Sequence, residues 1–202
     1  MAKRVLLAGV LGGIAMFLWS SVAHMVLPLG MTGVQEIPNE QGVLSAMQTQ
    51  LGGATGFYFF PGMGVGANPT HEQQRAAMQQ YDQKLASNPS GVLIYHPPGE
   101  KSITPRKLGM EFLTEFLEAL FLAFLLAQTS LTSFMSRLGF VVVAALMAAI
   151  TTNIPYWNWY GFPSNYTAAY MTIEFVGYVV AGLVAAAVLK RGSASQVLAK
   201  AA

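Results

Sequence analysis

The chain has no cysteine, which excludes structural disulfides, thiolate metal sites and cysteine nucleophiles. Charge is nearly as scarce. Asp, Glu, Lys and Arg make up 10% of the 202 residues, against roughly 25% in an ordinary soluble domain. The net charge is only +2 and no basic run occurs, so nothing points to nucleic acid as a partner. Catalytic signatures are missing as well. There is no Ser-His-Asp spacing, no HExxH pattern, and no paired-carboxylate motif in the polar part of the chain. Gly62-Met63-Gly64-Val65-Gly66 is glycine-rich but lacks the lysine and following helix of a phosphate loop, and reads as a connection. What the chain does have is apolar side chains, 53% of the total, which places it among membrane proteins.

A helix crossing the bilayer hydrocarbon needs about 20 mostly apolar residues. Four stretches meet that length: residues 5–27, 108–129, 138–154 and 168–189. Glu111, Glu115 and Glu118 interrupt the second, and Pro155 is expected to end or kink the third. The first stretch has a charged Lys3-Arg4 start and a small-residue Ser21-Val22-Ala23 pattern, as a signal peptide would. Its apolar length is that of a full span, so it is expected to remain as a helix.

The expected fold is an all-α membrane protein, a four-transmembrane-helix bundle with a small α+β extracytoplasmic domain inserted between helices 1 and 2. Its parts are helix 1 (1–28), the insertion (29–107), helices 2–4 (108–191) and a cytoplasmic tail (192–202). Basic residues near span ends set orientation. With both termini cytoplasmic, that side holds Lys3, Arg4, Arg137, Lys190, Arg191 and Lys200, and no Asp or Glu. Arg106 and Lys107 fall on the opposite side, at the end of a loop too long for the rule to bind.

Within the insertion, Asn39 is expected to cap a helix through Gln50. Gly56-Phe57-Tyr58-Phe59-Phe60 reads as a short buried strand closed by Pro61-Gly62. Thr70 and Gln73 form a capping-box pattern opening a polar helix to about Ala86. A second short strand, Val92-Leu93-Ile94-Tyr95, ends at His96-Pro97-Pro98.

The membrane segments carry one polar cluster. Glu111, Glu115 and Glu118 lie at i, i+4 and i+7, so they share a helix face. Glu174, His24, and Asn153 with Thr151 and Thr152 fall at a similar depth on the other three helices. A carboxylate in hydrocarbon costs several kcal/mol, so each must protonate, pair, or face water or a cation. His24, Asn153, Arg106 and Lys107 are the available partners. Glu111 and Glu115 are expected above the hydrocarbon. Glu115, Glu118, Glu174, His24 and Asn153 form the intramembrane site to be tested, as a place for protons, a small cation or a basic ligand, or as structural hydrogen bonds between helices.

Tyr156, Trp157, Trp159, Tyr160 and Phe162 are expected in the loop joining the third and fourth helices. Such residues form interfacial belts, or a docking surface for a partner helix, a quinone or a pigment tail. One histidine in the spans is weak support for a haem or chlorophyll ligand. Met25 and Met31 read as gap-fillers rather than copper ligands. No metal site is assigned and no cofactor follows from the residues. Gly9, Gly12 and Gly13, with Gly177 and Gly182, mark faces for close helix approach.

His24-Met25-Val26-Leu27-Pro28-Leu29-Gly30, Phe59-Phe60-Pro61-Gly62 and Pro155-Tyr156-Trp157-Asn158-Trp159-Tyr160-Gly161-Phe162-Pro163 resemble parts of uncharacterised bacterial polytopic membrane proteins, a family without an activity to transfer. The resemblance spans most of the chain and implies the bacterial inner membrane. Two functions are expected. The first is a non-catalytic accessory or structural subunit of a larger bacterial membrane complex of respiratory or photosynthetic type, with lipid and other membrane subunits as partners. The alternative is a small transporter, or a ligand- or cation-binding membrane protein, using the Glu/His cluster.

Overall fold

The apolar run after Lys3-Arg4 forms one continuous helix, α1, Ala2–Met25, followed by a single 3-10 turn at Pro28–Met31. The computed structural model describes residues 1–189. Lys190, Arg191, Lys200 and the expected tail lie outside the described residues. Five more helices and two strands follow: α2 Glu40–Leu51, β1 Gly56–Phe60, α3 His71–Ser87, β2 Gly91–Tyr95, α4 Pro105–Gln128, α5 Phe134–Tyr160 and α6 Ser164–Val188. The chain is mostly helical with one small two-stranded sheet.

Two compact units divide it: Met1–Val34 with the chain from Ile103 onward, and Gln35–Ser102. The second is narrower than the expected 29–107 insertion, because the turn after α1 and the start of α4 belong to the helical unit. In the smaller unit β1 and β2 pair antiparallel, Gly56 opposite Tyr95 and Phe60 opposite Gly91. The Thr70–Gln73 capping box forms with both of its bonds. Two expectations fail. Asn39 sits at the N-cap of α2 in the left-handed region and makes no side-chain cap bond. Nor is β1 buried: Phe57, Phe59 and Phe60 are exposed, and Tyr95 is the one buried residue of 35–102. Two strands and two polar-faced helices supply too little surface to cover both faces of a ribbon.

The larger unit packs four long helices. α1 lies along α4 and α6, α5 lies along α6, and α4 meets α6 and α5 over shorter stretches. Its core consists of small and medium residues, among them Ala8, Ala119, Ala123, Val141, Ala181 and Ala185. Close approach depends on glycine. A Cβ at Gly13 would lie 2.6 Å from the Phe116 Cα, and one at Gly9 would lie 2.9 Å from the Leu120 Cα. Small residues at such contacts let helices gain dispersion contacts where lipid removes any hydrophobic incentive to associate.

Three helices, α1, α5 and α6, are long and apolar enough to cross a membrane. Their outer faces expose Leu6, Leu11, Leu18, Val143 and Met147, a surface suited to lipid. At 24 residues α4 has the length, but its first fourteen residues hold three carboxylates.

α5 does not end at Pro155. The helix continues through that proline to Tyr160. Tyr156, Trp157, Trp159 and Tyr160 are therefore its last turns, and only residues 161–163 connect it to α6. Proline removes the N–H that would bond the Thr151 carbonyl, and transmembrane helices tolerate this where neighbouring groups and local adjustments compensate. Arg137, expected as a loop charge setting orientation, is 6% exposed. Its Nε donates to the Leu131 carbonyl (3.0 Å) and its Nη1 to the Ala186 carbonyl (3.2 Å).

Candidate functional site

α1, α4, α5 and α6 line a partly open cavity of about 680 Å³ within the helical unit. From α4 come Glu111, Thr114, Glu115 and Glu118; from α6 come Tyr170, Ile173, Glu174, Gly177 and Tyr178. α1 contributes Met16, Trp19, Ser20 and His24, and α5 contributes Ala148, Thr151 and Thr152. Four carboxylates and one imidazole thus line the cavity with no lysine or arginine among them. The i, i+4, i+7 spacing is what turns three acids on α4 toward one space.

Glu115 is the most enclosed of the four. It is 7% exposed, and its Oε2 has no hydrogen-bond partner among the described residues. Ser20 of α1 lines the same space as this carboxylate. Glu115, expected above the hydrocarbon, is buried within the helical unit. α4 begins at Pro105, capped by Thr104, whose hydroxyl accepts from the Lys107 N–H at 3.2 Å. That early start carries Glu115 well inside the packed region of the helix.

Glu174 is held from across the helix pair. Asn153 Nδ2 donates to its Oε2 at 2.8 Å and to the Ala149 carbonyl at 2.9 Å. Asn153 is itself buried, so its amide fixes one orientation of the Glu174 carboxylate. Glu118 and Glu174 are close enough to interact electrostatically across the cavity, as are Glu111 and Glu118 along α4. His24 stands in the last turn of α1. Its Nδ1 lies 3.0 Å from the Ser20 carbonyl, and its ring meets Tyr170 edge-on at 5.9 Å.

Of the residues singled out in the sequence, His24, Glu115, Glu118 and Glu174 line the cavity, and Asn153 joins them through its bond to Glu174. Tyr156, Trp157, Trp159, Tyr160 and Phe162 do not line it. Tyr156 stacks on Phe162 at 5.6 Å, and ring contacts continue from Phe162 through Tyr166 to Tyr170 of the cavity wall, while the Trp157 indole donates to Ser164 Oγ at 3.0 Å. Sequence reading missed Trp19, Tyr170 and Tyr178. Trp19 Nε1 donates to the Ile173 carbonyl at 2.9 Å, tying α1 to α6 beside the acids. Helical spacing carries the signal for the two tyrosines, since Tyr170 and Tyr178 flank Glu174 at i−4 and i+4; Trp19 has no such spacing from His24.

The Asn153–Glu174 pair has a measurable weight. Interhelical hydrogen bonds in membranes contribute about 0.6–2 kcal/mol, so Asn153→Ala is expected to lower unfolding stability in detergent by about 1–2 kcal/mol. An unchanged melting curve would show that the pair adds nothing.

Comparison with protein-family profiles, with curated proteins and with solved structures finds no match. The site therefore rests on its own chemistry.

Proposed function

We propose that the chain is a small membrane transporter or ligand-binding protein whose cavity takes a cation or a ligand bearing a basic group. In this reading α4 is a fourth span, its acids turned inward and its opposite face toward lipid. Both termini are cytoplasmic, with Lys3 and Arg4 at the inner end of α1, and Gln35–Ser102 is extracytoplasmic in a bacterial inner membrane. The observation that carries the proposal is Glu115, nine-tenths buried with an unmatched oxygen, in a cavity with three further carboxylates and no basic side chain but His24. Like charges gathered in a low-dielectric space repel strongly. An arriving positive charge relieves that repulsion. The lining needs no catalytic step to be useful in this way.

Thermal unfolding of the purified protein across a panel of metal and amine cations tests it. A ligand present at a hundred times its dissociation constant stabilises by about 2.7 kcal/mol. At least one cation is expected to raise the melting temperature, and Glu118→Gln and Glu174→Gln are expected to abolish that rise while leaving the unliganded fold intact. If both variants respond as the wild type does, the cavity is not the site.

A second reading, an accessory subunit of a larger membrane complex, is favoured by a different feature. Trp159 is 79% exposed, with Tyr156 and Trp157 exposed beside it, and exposed aromatic groups of this kind anchor subunit contacts as well as lipid headgroups. Gentle purification at native abundance separates the two readings: stoichiometric partners support the subunit, and a small single species supports the ligand site.

A further inference from the structure

The cavity's acids are distributed, and their distribution says what kind of cation fits. Among the described residues, no three His, Cys, Asp or Glu side chains converge closely enough to hold one metal ion. The carboxylates instead form a ladder. Glu111, Glu115 and Glu118 rise along α4 in steps of roughly 6 and 4.5 Å, and Glu174 faces them from α6. A volume of about 680 Å³ is in the range of pockets that hold small organic molecules. Between the acids the wall is apolar and aromatic, with Met16, Trp19 and Tyr178. Aromatic faces attract ammonium groups and pack against alkyl chains.

We propose that the ligand is an aliphatic diamine or polyamine, with protonated nitrogens on successive carboxylates of α4 and on Glu174, and its methylenes against Trp19 and Tyr178. This rests on the reading of the cavity as a cation site and narrows it. A single ammonium group neutralises one carboxylate and leaves the others repelling. Two or more, joined by short alkyl spacers, match the ladder.

Isothermal titration of the full-length protein in detergent, with spermidine, n-butylamine and magnesium chloride as separate probes, tests the proposal. Spermidine is expected to bind at least about tenfold more tightly than n-butylamine, since each added charge-assisted hydrogen bond is worth a tenfold step or more. Glu115→Gln and Glu118→Gln should each weaken spermidine about tenfold and flatten its advantage over n-butylamine. The wild-type comparison stands without those variants should either fail to fold. Equal affinity for spermidine and n-butylamine overturns the multi-amine ligand and leaves the cation site in place. Tighter binding of magnesium than of spermidine also overturns it in favour of an inorganic ion. Binding of none of the probes overturns both this inference and the proposed function.

Discussion

Gly13→Leu is expected to abolish the folded helical unit, with loss of a monodisperse species on size exclusion and no cooperative melting transition. The reason is geometric. Even a Cβ at this position would lie 2.6 Å from the Phe116 Cα and 3.1 Å from its Cβ. The first obstacle is backbone, which has no rotamer to change. A leucine adds three further carbons in the same direction, so α1 and α4 must separate along their contact. Overpacking by a methylene or so in a close-packed core costs about 1–3 kcal/mol, and this insertion is larger and meets main chain, so more than about 3 kcal/mol is expected. Gly109→Leu is the control. Gly109 lies on the same α4, and a Cβ there would meet nothing within 4 Å, so that variant should melt like the wild type or slightly above it, since glycine is a poor helix former. Equal behaviour of the two variants would mean that α1 and α4 are not in contact as described.

Arg137→Ala should produce the second-largest loss, about 2–4 kcal/mol of unfolding stability. Arg137 joins three pieces of chain: its own helix α5, the α4–α5 connection through the Leu131 carbonyl, and α6 through the Ala186 carbonyl. Ala186 lies in the last turn of α6, where carbonyls have no intrahelical donor. A guanidinium there supplies the donor and complements the negative end of the helix dipole. Bonds from a charged donor are each worth about 1.5–3 kcal/mol. Taking the charge out of water costs energy against that gain, so the net is set below the sum of the two bonds. Arg137→Lys should recover only part of the loss, because an ammonium cannot reproduce the fork that reaches two carbonyls at once. A Lys variant as stable as the wild type would show that charge alone, and not the geometry, is what α6 requires.

The sequence made the long apolar helices legible because their signal is local. Length and hydropathy alone mark α1, α5 and α6, and the 3.6-residue period alone puts Glu111, Glu115 and Glu118 on one face of α4. The capping box at Thr70 was legible for the same reason, since both partners lie within one turn. What escaped depends on other helices. Glu115 was expected at the rim because nothing in its own segment reveals that Ser20 of α1 faces it or that α4 starts as early as Pro105. Arg137 looked like a topological charge because its acceptors, Leu131 and Ala186, are fixed only by how α5 meets the α4–α5 connection and α6. Pro155 was expected to end or kink the third helix, and α5 does not end there. Asn39 has the composition of a cap but not the backbone angle for one, with φ of 53°. The whereabouts of the Glu/His cluster could be anticipated, whereas its enclosure by Trp19, Tyr170 and Tyr178 required the packing of α1 against α6.

The placement of the three tryptophans gives the molecule an optical probe of its own. Trp157 and Trp159 stand on the last turns of α5, away from the acids, and Trp19 alone is in the cavity wall with its indole N–H tied to α6. Replacing the two on α5 with phenylalanine leaves one fluorophore, fixed in orientation and bordering the acids. Its emission wavelength and its quenching by soluble iodide or by brominated lipid then read the polarity and accessibility of that space from within, with no dye attached and no foreign label to disturb the helix packing.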